Sequence, residues 1–155
     1  MRALTASIVT LATFAALTYA AGITLARYLS RGDERADDFQ YAVIMSGAEL
    51  VNRAEPLHYG RAITVMGGTR LDLRRASPAE GGAHLDVVTT LAGVEVIVRP
   101  EWRVNVRQLS FGGELDVQVT PASKLQEGAP QLEIFAETRI GGGLIVARGG
   151  DGPTG

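Results

Sequence analysis

The sequence predicts an all-β fold: a single parallel β-solenoid (β-helix) of about five short coils, preceded by one N-terminal transmembrane helix. Three observations predict it. Five β-rich segments after residue 40 share one form, an apolar residue, a small residue, a glycine and then a second β-rich run. No stretch after residue 40 carries a convincing helical period. Ahead of the repeats lies a long uncharged apolar run. The 155 residues leave room for one domain plus an appendage.

The first element is a membrane anchor over residues 1–27. Ala3 to Ala26 holds 24 residues without a charge. At ~1.5 Å per residue, a helix of this length crosses a hydrocarbon core of ~30 Å with some tilt. A cleaved signal peptide is the rival reading, with Arg2 as its basic region and Thr18-Tyr19-Ala20 or Thr24-Leu25-Ala26 as its cleavage site. The run exceeds the usual apolar core of a signal peptide, which favours an uncleaved anchor. Arg2 precedes the run and Arg27, Arg31 and Arg35 follow it, a weak lean towards a cytoplasmic C-terminal domain. The expectation is a single-pass cell-membrane protein touching the bilayer through residues 3–26.

Residues 28–38 read as a charged linker. They contain Arg31-Gly32-Asp33, an adhesion tripeptide whose residues are ordinary for a mixed-charge linker.

Residues 39–148 are the repeat domain. The segments are "YAVIMSGAELVNR" from Tyr41, "AITVMGGTRLDLR" from Ala62, "VVTTLAGVEVIVR" from Val87, "RQLSFGGELDVQV" from Arg107 and "AETRIGGGLIVAR" from Ala136. Their register glycines are Gly47, Gly68, Gly93, Gly113 and Gly142. Two positions before each stands Met45, Met66, Leu91, Phe111 or Ile140. Six positions after stands Arg53, Arg74, Arg99 or Arg148, in four of the five. Repeats of this length signal stacked units that bury an apolar face only together. Alternation of apolar and polar residues marks half-buried strands, and a parity slip at Gly93 marks a corner. The five glycines are therefore read as structural corners, and the expected inward rows include Ile63, Val65, Leu71 and Leu73. An antiparallel sandwich or barrel is the alternative, but the glycine pairs lie inside β runs and not between them. Residues 149–155, "GGDGPTG", read as a disordered tail.

Composition removes several functions. There is no cysteine, hence no disulfide, thiolate metal site or thiol nucleophile. Net charge is −2, which gives no field to draw nucleic acid. His58 and His84, both placed in loops, lack metal-ligand spacing. Glu114 and Asp116 face outward on their strand, and Asp37-Asp38 lies in the linker, so neither pair makes an acid–base site. The glycine pairs match no nucleotide-binding motif. No catalytic, cofactor-binding or metal-ligating residue is expected, nor any small-molecule substrate. The arginines Arg53, Arg74, Arg99 and Arg148 would stack along one edge. They form either a candidate interaction strip or a charge-compensated face, with Glu49, Asp72 and Glu95 near enough to interleave.

Residues 62–106 also resemble the C-terminal domain of the LiaF-like, cell-wall-active-antibiotic response proteins. The matching residues are Met66-Gly67-Gly68, Leu71-Asp72-Leu73, Pro78 with Gly81-Gly82, Leu85-Asp86-Val87, Gly93-Val94-Glu95-Val96, and Pro100 with Trp102-Arg103-Val104. "FGGELDV" from Phe111 fits the next corner. The resemblance implies a non-enzymatic accessory or regulatory protein of the bacterial envelope-stress response, acting on another membrane protein such as a sensor histidine kinase. Family members that define the response carry several transmembrane helices before this domain; here one is expected. The alternative function is a bactofilin-like scaffold, in which solenoid ends stack and the chain self-assembles at the membrane.

Overall fold

The structure, a computed structural model, describes residues 2–149, with side chains from residue 16 onward. It opens with helix α1 (Arg2–Leu29). Seven strands of the sheet follow a single path: β1 (Asp38–Ile44), β2 (Gly47–Val51), β3 (Tyr59–Val65), β4 (Gly68–Asp72), β5 (Ala83–Thr90), β6 (Gly93–Val98) and β8 (Gln131–Ala147). The eighth, β7 (Arg103–Gln118), pairs with β8 alone. All strand pairs are parallel.

The strand order is β1-β3-β5-β8-β6-β4-β2, which makes one nearly closed, barrel-like wall. Each repeat contributes two arms that meet at a corner. β1 and β2 are the arms of the first, β3 and β4 of the second, and β5 and β6 of the third; β7 and β8 each run through both arms. A third side is begun by the loops, where Leu57 bridges Pro78 in parallel and Ala54 and Ala76 are buried.

Two expectations about this fold are corrected. The first is the transmembrane helix. Among the described residues no helix is long and apolar enough to cross a membrane. The side chains of residues 2–15, half of the run expected to span, lie outside the described residues. The described half of α1 turns onto the sheet instead. Gly22 is buried there, and a Cβ on it would stand 3.4 Å from Ile44 Cγ2, so its lack of a side chain sets how closely helix and strand approach. The tail expected over 149–155 likewise lies outside the described residues beyond Gly149.

The second correction is the stack of five coils in chain order. The fifth repeat, β8, is inserted between the third and the fourth. It pairs with β5 and β6 on one side and with β7 on the other. The loops explain how. The short turn after Val98 carries the chain past one empty layer, anchored by Trp102, which is almost fully buried. The connection from Gln118 to Gln131 is long, holds a 3₁₀ turn (Ala122–Lys124), and steps back by one layer. Long connections cost little extra closure entropy, so nothing forces consecutive repeats to be neighbours.

Inside the wall, side chains stack in rows that follow this order. One row is Phe39, Gly60, Leu85, Ile134 and Val106; another is Leu50, Leu71, Val96, Ile145 and Val117. The Phe39 ring occupies the room a side chain at Gly60 would need. Next to the corner the interior row is Val43, Thr64, Thr89, Thr138 and Ser110. The two arms converge there, and small hydroxyl side chains satisfy one another. Thr64 Oγ1 donates to Thr69 Oγ1 across the corner at 2.7 Å, and Thr89 Oγ1 to Thr138 Oγ1 at 3.2 Å. Ile63 and Val65, expected inside, are on the outward face of β3, while Ala62 and Thr64 point inward. The parity slip first seen at Gly93 occurs at this corner too.

Candidate interaction face at the end coil

The corners are built differently from the expectation. The left-handed backbone belongs to Met45, Met66, Leu91 and Ile140, with φ of 55°, 53°, 51° and 52°, and to Gly112 at 70°. The glycines singled out from the sequence are in extended backbone. Gly47, Gly68, Gly93 and Gly142 stack in one row. Gly113 pairs with Gly141, one position earlier, and Glu114 takes the place of the register glycine. The residue that must be small is the one between. A Cβ on Gly67 would run into the Ser46 carbonyl oxygen, and one on Gly141 into that of Ala92. Around Gly68 and Gly93 there is open space. The ladder continues through the bend: Gly68 N–H donates to Ser46 O at 3.1 Å and Gly93 N–H to Gly67 O at 2.9 Å.

The four arginines of the candidate strip do reach one edge, and each has a local partner. Arg53 faces Glu34 at 3.5 Å, and Arg99 faces Glu101 at 4.0 Å and donates to the Arg74 carbonyl. Arg148 pairs with Glu95 at 3.0 Å. Arg74 is the most enclosed, its side chain 10% exposed, and it binds the Asp72 carboxylate at 2.6 Å. Asp72 also accepts the Arg74 backbone N–H at 3.0 Å. Burial works to raise the pKa of this carboxyl, but the hydrogen bonds and charge of Arg74 outweigh it and hold it below the usual carboxylate range. The edge is thus internally compensated.

The histidines are exposed. His84 is on β5 and not in a loop, 3.5 Å from Glu133; His58 precedes β3, 3.6 Å from Asp37. Among the described residues no group of His, Asp and Glu could hold a metal ion. Tyr59 donates to Asp86 Oδ2 at 2.6 Å, and that hydrogen bond, with burial, raises the tyrosine pKa. A groove of about 610 Å³ runs over the outer wall between His84, Glu133, Phe135 and Arg107. Its walls carry charge and one aromatic ring, without a nucleophile–base pair.

The two ends of the wall are unequal. The first coil is covered. α1 packs along β1, Arg31 and Gln40 exchange backbone hydrogen bonds at 2.7 and 2.8 Å, and Asp37 O accepts from the His58 and Tyr59 N–H groups. The residues read as a linker therefore fold back as a cap. The opposite end is β7, whose outer edge has no strand partner among the described residues. Phe111, Leu109 and Val117 are 57%, 44% and 38% exposed there. Val104 and Val106, on the interior side, are only half-buried because no further coil covers them.

Charge marks this end as well. Among the described residues, Arg103, Arg107, Glu114 and Asp116 take part in no ion pair, as is also true of Arg61 and Arg75, whereas Arg53, Arg70, Arg74, Arg99, Arg139 and Arg148 of the other repeats are paired. Asp116 accepts only the Gln118 side-chain amide. Sequence reasoning noted Glu114 and Asp116 as outward but missed the end coil. The available signal was the fourth repeat's irregularity at Gly112-Gly113. No family model, curated protein or solved structure matches the chain.

Proposed function

We propose that this protein is a non-enzymatic interaction module, an accessory or regulatory component of the bacterial envelope-stress response, that works through protein contacts of its β wall. The observation that carries the reading is the open β7 end. A long edge strand without Pro or Lys, with exposed Phe111 and Leu109 and four unpaired charges, is a surface that natural proteins otherwise protect. The resemblance of residues 62–106 to the LiaF-like domain supports the regulatory assignment and makes a membrane sensor kinase the client class to test. The reading does not depend on a membrane span. The filament-forming scaffold has less support, because α1 and the residues after it cover the end that a growing stack would need.

Photo-crosslinking in cells tests this. A photoreactive residue replacing Leu109 or Phe111 should give discrete protein adducts. One replacing Met66, which is exposed at a corner near the capped end, should not. Equal labelling from both places, or none from β7, would overturn the reading.

A further inference from the structure

We propose that the β7 end is closed by the same end of a second copy, the two coils pairing antiparallel about a two-fold axis through the Gly112 corner. The proposal rests on the reading above and names the occupant of its surface. Three features point to a second copy.

The first is charge order along the strand. The arm before the corner carries Arg103 and Arg107, and the arm after it carries Glu114 and Asp116. A parallel neighbour would set like charge on like. A two-fold reverses the direction and sets each basic arm against an acidic one.

The second is side-chain parity. Pairing with β8 shows that Gly112 interrupts the alternation, so Arg107 and Asp116 both point outward while Val106 and Val117 both point inward. Superposing the two corners places Arg107 opposite Asp116 of the second copy and Val106 opposite Val117 of the second copy. The two symmetric Arg107–Asp116 contacts are then ionic and the two Val106–Val117 contacts apolar, while Gln108 falls opposite Leu115 and Leu109 opposite Glu114. An unbroken alternation could not satisfy both. The buried ends of the Leu50 and Phe39 rows, left half-open at β7, meet and close.

The third is the unequal pair of ends. With the first coil capped, head-to-tail growth has no acceptor, and an isologous contact closes after two subunits. Edge-strand pairing supplies main-chain hydrogen bonds along both arms.

Sedimentation velocity of the full chain over a concentration series tests the proposal. Wild type should be a dimer at micromolar concentration. Arg107→Asp and Asp116→Arg should each weaken the dimer by roughly tenfold or more, since each sets like charges opposite at two symmetric places. The double variant Arg107→Asp/Asp116→Arg should recover the dimer. Far-UV circular dichroism spectra of the single variants should match wild type, because neither residue makes an intrachain ion pair, while their melting temperatures should fall only as far as the weakened dimer requires. A second readout uses the absence of native cysteine. Phe111→Cys, next to the axis, should oxidise to a covalent dimer, and Met66→Cys should not. A wild type that stays monomeric, single variants that dimerise as well as wild type, or open-ended polymers would each overturn the proposal. Crosslinks from β7 to other proteins alongside a monomeric wild type would reject the dimer and leave the interaction module standing. Absence of both would reject the two together.

Discussion

Gly67 and Gly68 stand side by side and do unlike things. Gly67 is where two layers of backbone come closest, and any side chain there meets the Ser46 carbonyl. Gly68 faces open space in extended backbone. Gly67→Ala should therefore destabilise by about 3 kcal/mol or more, and Gly68→Ala should stay within about 0.5 kcal/mol. Chemical denaturation of the two variants checks this; equal costs would contradict it. Asp72 is a second residue-scale case. Its carboxyl is held below its unfolded value, so the stabilisation from its pair with Arg74 is complete above the unfolded carboxylate pKa of about 3.9 and is lost as pH falls through the folded value. Asp72→Ala should cost about 2–4 kcal/mol at neutral pH and flatten the acid limb of the stability curve below pH ~4. An unchanged acid limb would show that Asp72 does not carry it.

At the scale of the element, each arm is a strand whose outward residues carry the charge and whose inward residues fill the wall. The row from Thr64 through Thr138 is the exception, a polar seam inside the corner. Thr89→Val keeps the shape and removes a hydroxyl bonded to Thr138, so it should cost about 1–2 kcal/mol, read from the denaturation midpoint. Much of this level was legible in the sequence. The repeat, the parallel β character and the apolar residue two positions before each register glycine could all be read from spacing and alternation. Leu71, Leu85 and Val96 fall inside as their parity requires. Ile63 and Val65 did not, because a corner with a left-handed Met66 adds a residue that alternation alone does not count. The strain at the corner was assigned to glycine because glycine adopts positive φ most cheaply. The chain instead bends at an exposed Met, Leu or Ile and uses glycine to let backbones touch. α1 was misread for a related reason. An uncharged stretch rich in Ala, Thr and Gly serves a membrane or a sheet, and what it packs against is a tertiary fact.

For the whole molecule, the order of layers decides the function proposed. Repeats are similar enough that any could stack on any other, so sequence spacing gives their number and not their arrangement. The long connection after Gln118, with the fourth repeat's irregularity at Gly112-Gly113, is the local sign that the chain doubles back. Placing β8 inside leaves β7 as the exposed end, with its unpaired arginines and acids, and the interaction surface follows from that single exchange. Because the chain has no cysteine of its own, engineered pairs report layer neighbours directly. Val88 and Glu137 are register partners across β5 and β8, both on the outward face. Adjacent strands hold such Cβ atoms within about 5.5 Å, close to disulfide reach. The account predicts that Val88→Cys/Glu137→Cys forms an intramolecular disulfide under mild oxidation and that Val88→Cys/Leu109→Cys does not. The opposite result, a bridge from position 88 to position 109 alone, would put the fourth repeat next to the third and remove the open β7 end on which the account rests.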